Sequence, residues 1–145
     1  MLNIMRTQRE SPNDFLLDSG ASSHMSPNQD WFHKLYQISP REISLGDNSK
    51  VTAEAAGDII LKLPYKNGAI LKLLISDVLH VPDLSLNLLS CSKLAERGVS
   101  SIFDKNICFL IDKLYNDDLL AKAYKKDSLY WLTNVTPELQ PKELI

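Results

Sequence analysis

The sequence predicts an all-β domain, mainly strands with one or two short helices. Three observations predict it. Apolar and polar residues alternate at a period of two over much of the chain. Turn signals such as Asn67-Gly68 and Asp104-Lys105-Asn106 recur at close spacing. Only one segment, Asn87 to Arg97, carries a clear helical period. A length of 145 residues, 44% of them apolar and 23% charged, suits a single globular domain with a real core.

The elements follow in order. Residues 1–12 are polar and aperiodic and read as a flexible arm ahead of a domain at 13–132. Phe15-Leu16-Leu17 is a buried strand that runs straight into the turn Asp18-Ser19-Gly20-Ala21. Ser26-Pro27-Asn28 can cap a short helical turn through Trp31, Phe32 and Leu35. Ile43, Leu45, Val51 and Ala53 flank a polar tip at Gly46-Asp47-Asn48-Ser49, which makes a hairpin. Residues 59–63 and 69–75 make a second hairpin around Asn67-Gly68. Asp77 to Pro82 reads as one more strand, stopped by proline. The segment from Asn87 to Arg97 places Leu88, Cys91, Leu94 and Ala95 on one helical face, with Gly98 as its stop. Residues 102–111 form another hairpin. Residues 119–124 fit helix or strand, and 129–132 fit a last short strand. The stretch 133–145 is a polar tail, frayed from Pro137 onward.

Composition also excludes function classes. A net charge of −2, with scattered cations, gives no basic face for nucleic acid. No apolar run is long enough for a signal peptide or a membrane span. Cys91 and Cys108 cannot build a disulfide framework and make no CxxC pair, so they read as free, partly buried thiols in a reducing compartment. His24, His33 and His80 lack metal-ligand spacing. Neither metal nor cofactor is expected. His80 reads as a satisfied sheet residue, and His24 reads as close to the Asp18 turn but not catalytic. Trp31, Trp131 and Tyr130 read as core or dimer-interface aromatics.

The chemistry-bearing feature is Asp18. An apolar strand delivers its carboxylate to a tight turn, with a hydroxyl at Ser19 and the small residues Gly20 and Ala21 after it. One carboxylate hydrolyses a peptide poorly. Two carboxylates about 3 Å apart share one proton, so that one activates water while the other polarises the scissile carbonyl. The triplet Asp-Ser-Gly occurs once. A dyad therefore needs a second copy of the chain, related by a two-fold axis. The pair would titrate as a unit, with a mildly acidic optimum.

At these residues the chain resembles a family. Phe15-Leu16-Leu17-Asp18-Ser19-Gly20-Ala21-Ser22-Ser23-His24-Met25 is similar to the active-site segment of the protease of copia-type LTR retrotransposons. Ile43-Ser44-Leu45-Gly46-Asp47-Asn48 resembles the segment that follows it. Asp77 to Leu84, with Asn87-Leu88-Leu89-Ser90 and Leu94, resembles the family's second signature, and Gly98, Phe103 and Cys108 continue the pattern. The likeness spans residues 14–132. Where retroviral proteases usually carry a glycine before the Asn-Leu-Leu segment, this chain has Ser85-Leu86.

The resemblance implies a retropepsin-like acid-protease β-barrel with one half-site per chain. It implies a homodimeric aspartic endopeptidase that cuts the element's Gag-Pol polyprotein during maturation of a cytoplasmic virus-like particle. Asp18 would be the catalytic carboxylate. Ser19 would bridge the two active-site loops, and Gly20 would allow their geometry. Ala21 and Ser22, with the flap tip Gly46, Asp47 and Asn48, would face substrate. The tail would lead toward an integrase region. Retropepsin dimers are commonly closed by terminal strands. A reading from another class stands beside this one: a catalytically silent β-barrel module with an assembly role in a transposon polyprotein. The intact Asp18-Ser19-Gly20 favours the enzyme.

Overall fold

A computed structural model describes residues 13–44 and 48–139. In chain order its strands are β1 (Phe15–Asp18), β2 (Met25–Ser26), β3 (Lys34–Ser44), β4 (Lys50–Pro64), β5 (Ile70–His80), β6 (Asn87–Ser90), β7 (Val99–Phe103), β8 (Ile107–Asp112), β9 (Asp118–Lys126), β10 (Leu129–Leu132) and β11 (Thr136–Pro137). One short helix, α1 (Cys91–Glu96), joins β6 to β7. The all-β expectation holds. Among the described residues the strands form one sheet in the order β11-β4-β5-β2-β6-β1-β10-β9-β8-β7, with β3 beside the first half of β4 on the edge whose far end takes β11. This sheet does not close on itself. β7 pairs only with β8, and β3 only with β4, so an open sheet stands where a barrel was expected.

β1 sits in the middle of this order. It runs parallel to β6 and antiparallel to β10. Both of its faces are covered, which is why three consecutive apolar residues are tolerated there. Leu17 and Leu89 join one core cluster with Phe15, Ile59, Leu61 and Leu110. Leu16 and Leu88 join a second with Met25, Leu79, Val81 and Trp131. Trp31 lies in the first cluster, its ring 5.7 Å from that of Phe15.

The long hairpins show the alternation that predicts them. In β4, Ile59, Leu61 and Leu63 point inward while their neighbours are partly solvated. Asn67 and Gly68 both have positive φ, 55° and 77°, so the turn between β4 and β5 has the handedness that tight hairpins prefer. Asp127 and Ser128, at 53° and 69°, make the same kind of turn between β9 and β10. Part-way along, Ser76 and Asp77 oppose the single residue Asp58, a bulge that shifts the register of β4 on β5. Beside it, Gly57 packs so closely on β3 that a Cβ would lie 1.8 Å from the Lys34 carbonyl oxygen.

Several local expectations change. The helix begins at Cys91, because pairing with β1 holds Asn87–Ser90 extended. Residues 69–75 and 77–82, read as two strands, are mostly one, β5. The ambiguous segment 119–124 is strand, and the turn near Trp31 is a short 3-10 helix, Gln29–Trp31. Residues 133–139, read as the start of a polar tail, lie against the sheet. Val135 is buried, Thr136–Pro137 pair with β4, the Glu138 N–H donates to the Ile60 carbonyl at 2.8 Å, and Lys72 pairs with Glu138 at 2.5 Å. The expected arm at 1–12 and the end of the tail lie outside the described residues.

Replacing Gly57 with alanine should force β3 off β4. The expected cost is about 1–3 kcal/mol, the usual range for overpacking a close contact. Urea unfolding measures it, and an unchanged midpoint would contradict the packing described for Lys34.

Candidate active site

Asp18 closes β1 and is half-buried, level with Ser90 of β6. The next residues turn outward: Ser19, Gly20 and Ser22 are exposed and Ala21 is half-buried. The Gly20 N–H donates to Asp18 Oδ1 at 2.8 Å, folding the loop back onto the carboxylate. Gly20 is not in the left-handed region, which among the described glycines holds Gly68 and Gly98. A Cβ at Gly20 would instead stand 3.4 Å from Asp18 Oδ1.

β6 and α1 hold the loop from behind. Ser90 Oγ donates to the Ala21 carbonyl at 2.7 Å and accepts the Lys93 N–H at 3.2 Å, so one hydroxyl ties the loop and caps the helix. The Ser90 N–H donates to His24 Nδ1 at 2.9 Å. The His24 carbonyl accepts the Leu79 N–H at 2.9 Å, so the loop's return is also pinned to β5. At the other end of β6, fully buried Asn87 accepts hydrogen bonds from Ser26 Oγ at 2.6 Å and Asn28 Nδ2 at 3.0 Å, and its amide donates to the Asp14 carbonyl at 3.4 Å. The sequence reading missed Asn87, Ser90 and His24 as site supports. Their one visible signal was the placing of polar residues beside apolar runs.

An open groove of about 880 Å³ runs past the loop. Leu16 to Gly20 form one side; Phe103, Leu129, Tyr130 and the turn Asp127-Ser128 form the other. Phe103 and Tyr130 meet edge to face, with ring centroids 4.9 Å apart, and the Tyr130 hydroxyl donates to the Asp104 carbonyl at 2.6 Å. Of the expected site residues, Asp18, Ser19 and Gly20 are brought together here. Ala21 and Ser22 continue the loop beyond the groove walls. Asn48 lies exposed beside the start of β4 with φ 67°; Gly46 and Asp47 lie outside the described residues. Trp131 is core, whereas Tyr130 borders the groove.

The neighbouring thiols are poor nucleophiles. Burial raises the Cys91 thiol, and the charge of Asp18 raises it further. Burial, with the proximity of Cys91, pushes Cys108 up to about 11. Both stay protonated near neutrality. Among the described residues no three His, Cys, Asp or Glu side chains converge as a metal site would need, and no helix is long and apolar enough to cross a membrane.

A mainly β domain that carries an aspartate at the end of a strand held between a parallel and an antiparallel neighbour is the class this geometry defines. The chain belongs to the family described as Pol polyprotein, beta-barrel domain, whose profile matches residues 15–99. It is 32% identical over 90 residues to the Retrovirus-related Pol polyprotein from transposon TNT 1-94 of Nicotiana tabacum, a match covering 62% of this chain and 6% of the relative. It is 29% identical over 126 residues to the Transposon Ty1-BR Gag-Pol polyprotein of Saccharomyces cerevisiae, covering 86% of this chain and 6% of the relative. The chain thus spans a small fraction of the length of the polyproteins it matches. No solved structure matches it.

Asn87→Ala should destabilise the domain by about 1–3 kcal/mol, because Ser26 Oγ loses a buried acceptor. Denaturant titration measures this. A neutral result would remove Asn87 from the account of how β6 is held.

Proposed function

We propose that this domain is the aspartic endopeptidase of a copia-type retrotransposon polyprotein, working as a homodimer with Asp18 of each chain in a shared dyad. The observation that carries the reading is the setting of Asp18: half-buried at the end of a strand covered on both faces, yet lining an open groove of about 880 Å³. In such a dyad the ionised Asp18 takes a proton from water, and the protonated Asp18 of the second copy donates to the scissile carbonyl oxygen. As in aspartic proteases generally, two carboxylates about 3 Å apart cannot both ionise, which keeps the pair in this mixed state.

The substrate in this reading is the Gag-Pol polyprotein from which the domain is cut, within a cytoplasmic virus-like particle. Ser19 would bridge the two loops across the axis. The β3–β4 hairpin would close over the peptide and exclude water, with Gly46, Asp47 and Asn48 at its tip. Because Thr136–Pro137 pair with β4 of their own chain, the second copy would be held by surfaces around the Asp18 loop and the Asp127-Ser128 turn rather than by these residues.

Asp18→Asn should abolish processing of a Gag-Pol precursor while leaving the fold intact. Equal processing by both chains would end the aspartic-protease reading in favour of a silent structural module. Sedimentation at rising concentration should show a monomer–dimer equilibrium. A chain that stays monomeric at the highest concentrations would leave Asp18 without its partner.

A further inference from the structure

We propose that His24 is a positioning residue for the Asp18 loop: its neutral imidazole, by accepting the Ser90 N–H, fixes the loop's return against β6, and protonation of His24 releases it. The proposal rests on the reading of Asp18 as the reacting carboxylate, but its structural half can be tested without cleavage.

The geometry is a closed circuit. Asp18 and Ser90 are register partners on β1 and β6. From Asp18 the chain runs out through Gly20 and Ala21, and Ala21 is drawn back by Ser90 Oγ at 2.7 Å. Three residues later His24 is 4% exposed, and its Nδ1 receives the backbone N–H of the same Ser90 at 2.9 Å. One residue of β6 therefore holds the loop at two points, through its hydroxyl and through its amide. The amide bond requires a lone pair on Nδ1. That fixes the tautomer, with the proton on Nε2. An imidazolium has no acceptor, and its N–H would face the Ser90 N–H in a buried place. The loop must then move or the strand must yield.

The surroundings favour the neutral ring. Burial depresses the pKa of His24 to about 4, the Lys93 ammonium on α1 pushes the same way, and Asp77 on β5 opposes them. Glu96 and Arg97 of the helix end line the same small cavity. In the unfolded chain the ring takes a proton near 6.5. As pH falls from there, the unfolded state binds the proton first, so stability declines toward pH of about 4. Above the unfolded value the contribution is complete. Because cleavage in the proposed reading needs the loop held, activity should fall on the acid side as His24 takes its proton.

The test is a pH titration of the intact chain by NMR. It follows the His24 ring nitrogens together with the exchange protection of the Ser90 amide. Nδ1 should carry the signature of an unprotonated acceptor at neutral pH. Ser90 protection should fall roughly tenfold, the worth of one such hydrogen bond, as the ring titrates. His24→Asn places an amide oxygen where Nδ1 stood and cannot take the proton; it should keep Ser90 protected through the pH at which the wild type loosens. His24→Phe keeps the ring and removes the acceptor, and should lose that protection at neutral pH. In cleavage assays the acid limb should move to lower pH in His24→Asn, and kcat should fall more than KM rises in His24→Phe. Ser90 protection that ignores the His24 titration, or Nδ1 protonated at neutral pH, would overturn the proposal, and the wild-type titration decides this even if a variant fails to fold. Coupled titration without cleavage at any pH would uphold the tether and reject the protease reading.

Discussion

The four residues of β1 lie between a parallel neighbour and an antiparallel one, and the Asp18 loop depends on that sandwiching. A parallel partner requires a long crossover, and here the chain spends residues 19–86 on it before returning as β6. The return places Ser90 level with Asp18. From that register follow the bond to the Ala21 carbonyl, the bond to His24 and the start of α1. If β6 slipped by one residue, Leu89 and Ser90 would exchange faces and the loop would lose its anchor. The buried bonds of Asn87 hold the strand against such a slip from its other end.

The rest of the molecule serves this register at a distance. Leu17 and Leu89 look into one core and Leu16 and Leu88 into the other, so each apolar side chain of the pair is spent on holding the two strands in place. The β7–β10 strands do two things. β10 covers the second edge of β1, and the turns beside it bring Phe103 and Tyr130 to the groove. A single chain thereby supplies a walled groove with Asp18 at the strand end and Asp127 in the facing turn, and a pair of Asp18 carboxylates requires a second copy.

Local signals were legible in the sequence and distant pairings were not. Phe15-Leu16-Leu17 read as a buried strand because burial on both faces leaves a continuous apolar run. Asn67-Gly68 read as a turn because few residues accept positive φ at two successive positions. Asn87 to Ser90 read as helix because Leu88, Cys91 and Leu94 do fall at helical spacing; the pairing with β1 that extends it lies far off in sequence. His24 reads as a neighbour of the Asp18 turn rather than as its support for a related reason. Its partner Ser90 belongs to the strand that was misread, so nothing local showed that the ring would be buried and accepting. Val135 to Glu138 reads as tail because four residues are too few to show periodicity, and only the edge of β4 gives them a place.

In the proposed reading, catalysis belongs to a pair of Asp18 carboxylates contributed by two copies. Mixing wild-type chain with Asp18→Asn at fixed total concentration, above the dimer dissociation constant, tests it most directly. If the site is shared, mixed dimers are dead, and cleavage of a Gag-Pol precursor falls as the square of the wild-type fraction. A fall in simple proportion to that fraction would mean that each chain cuts alone, and would contradict the account.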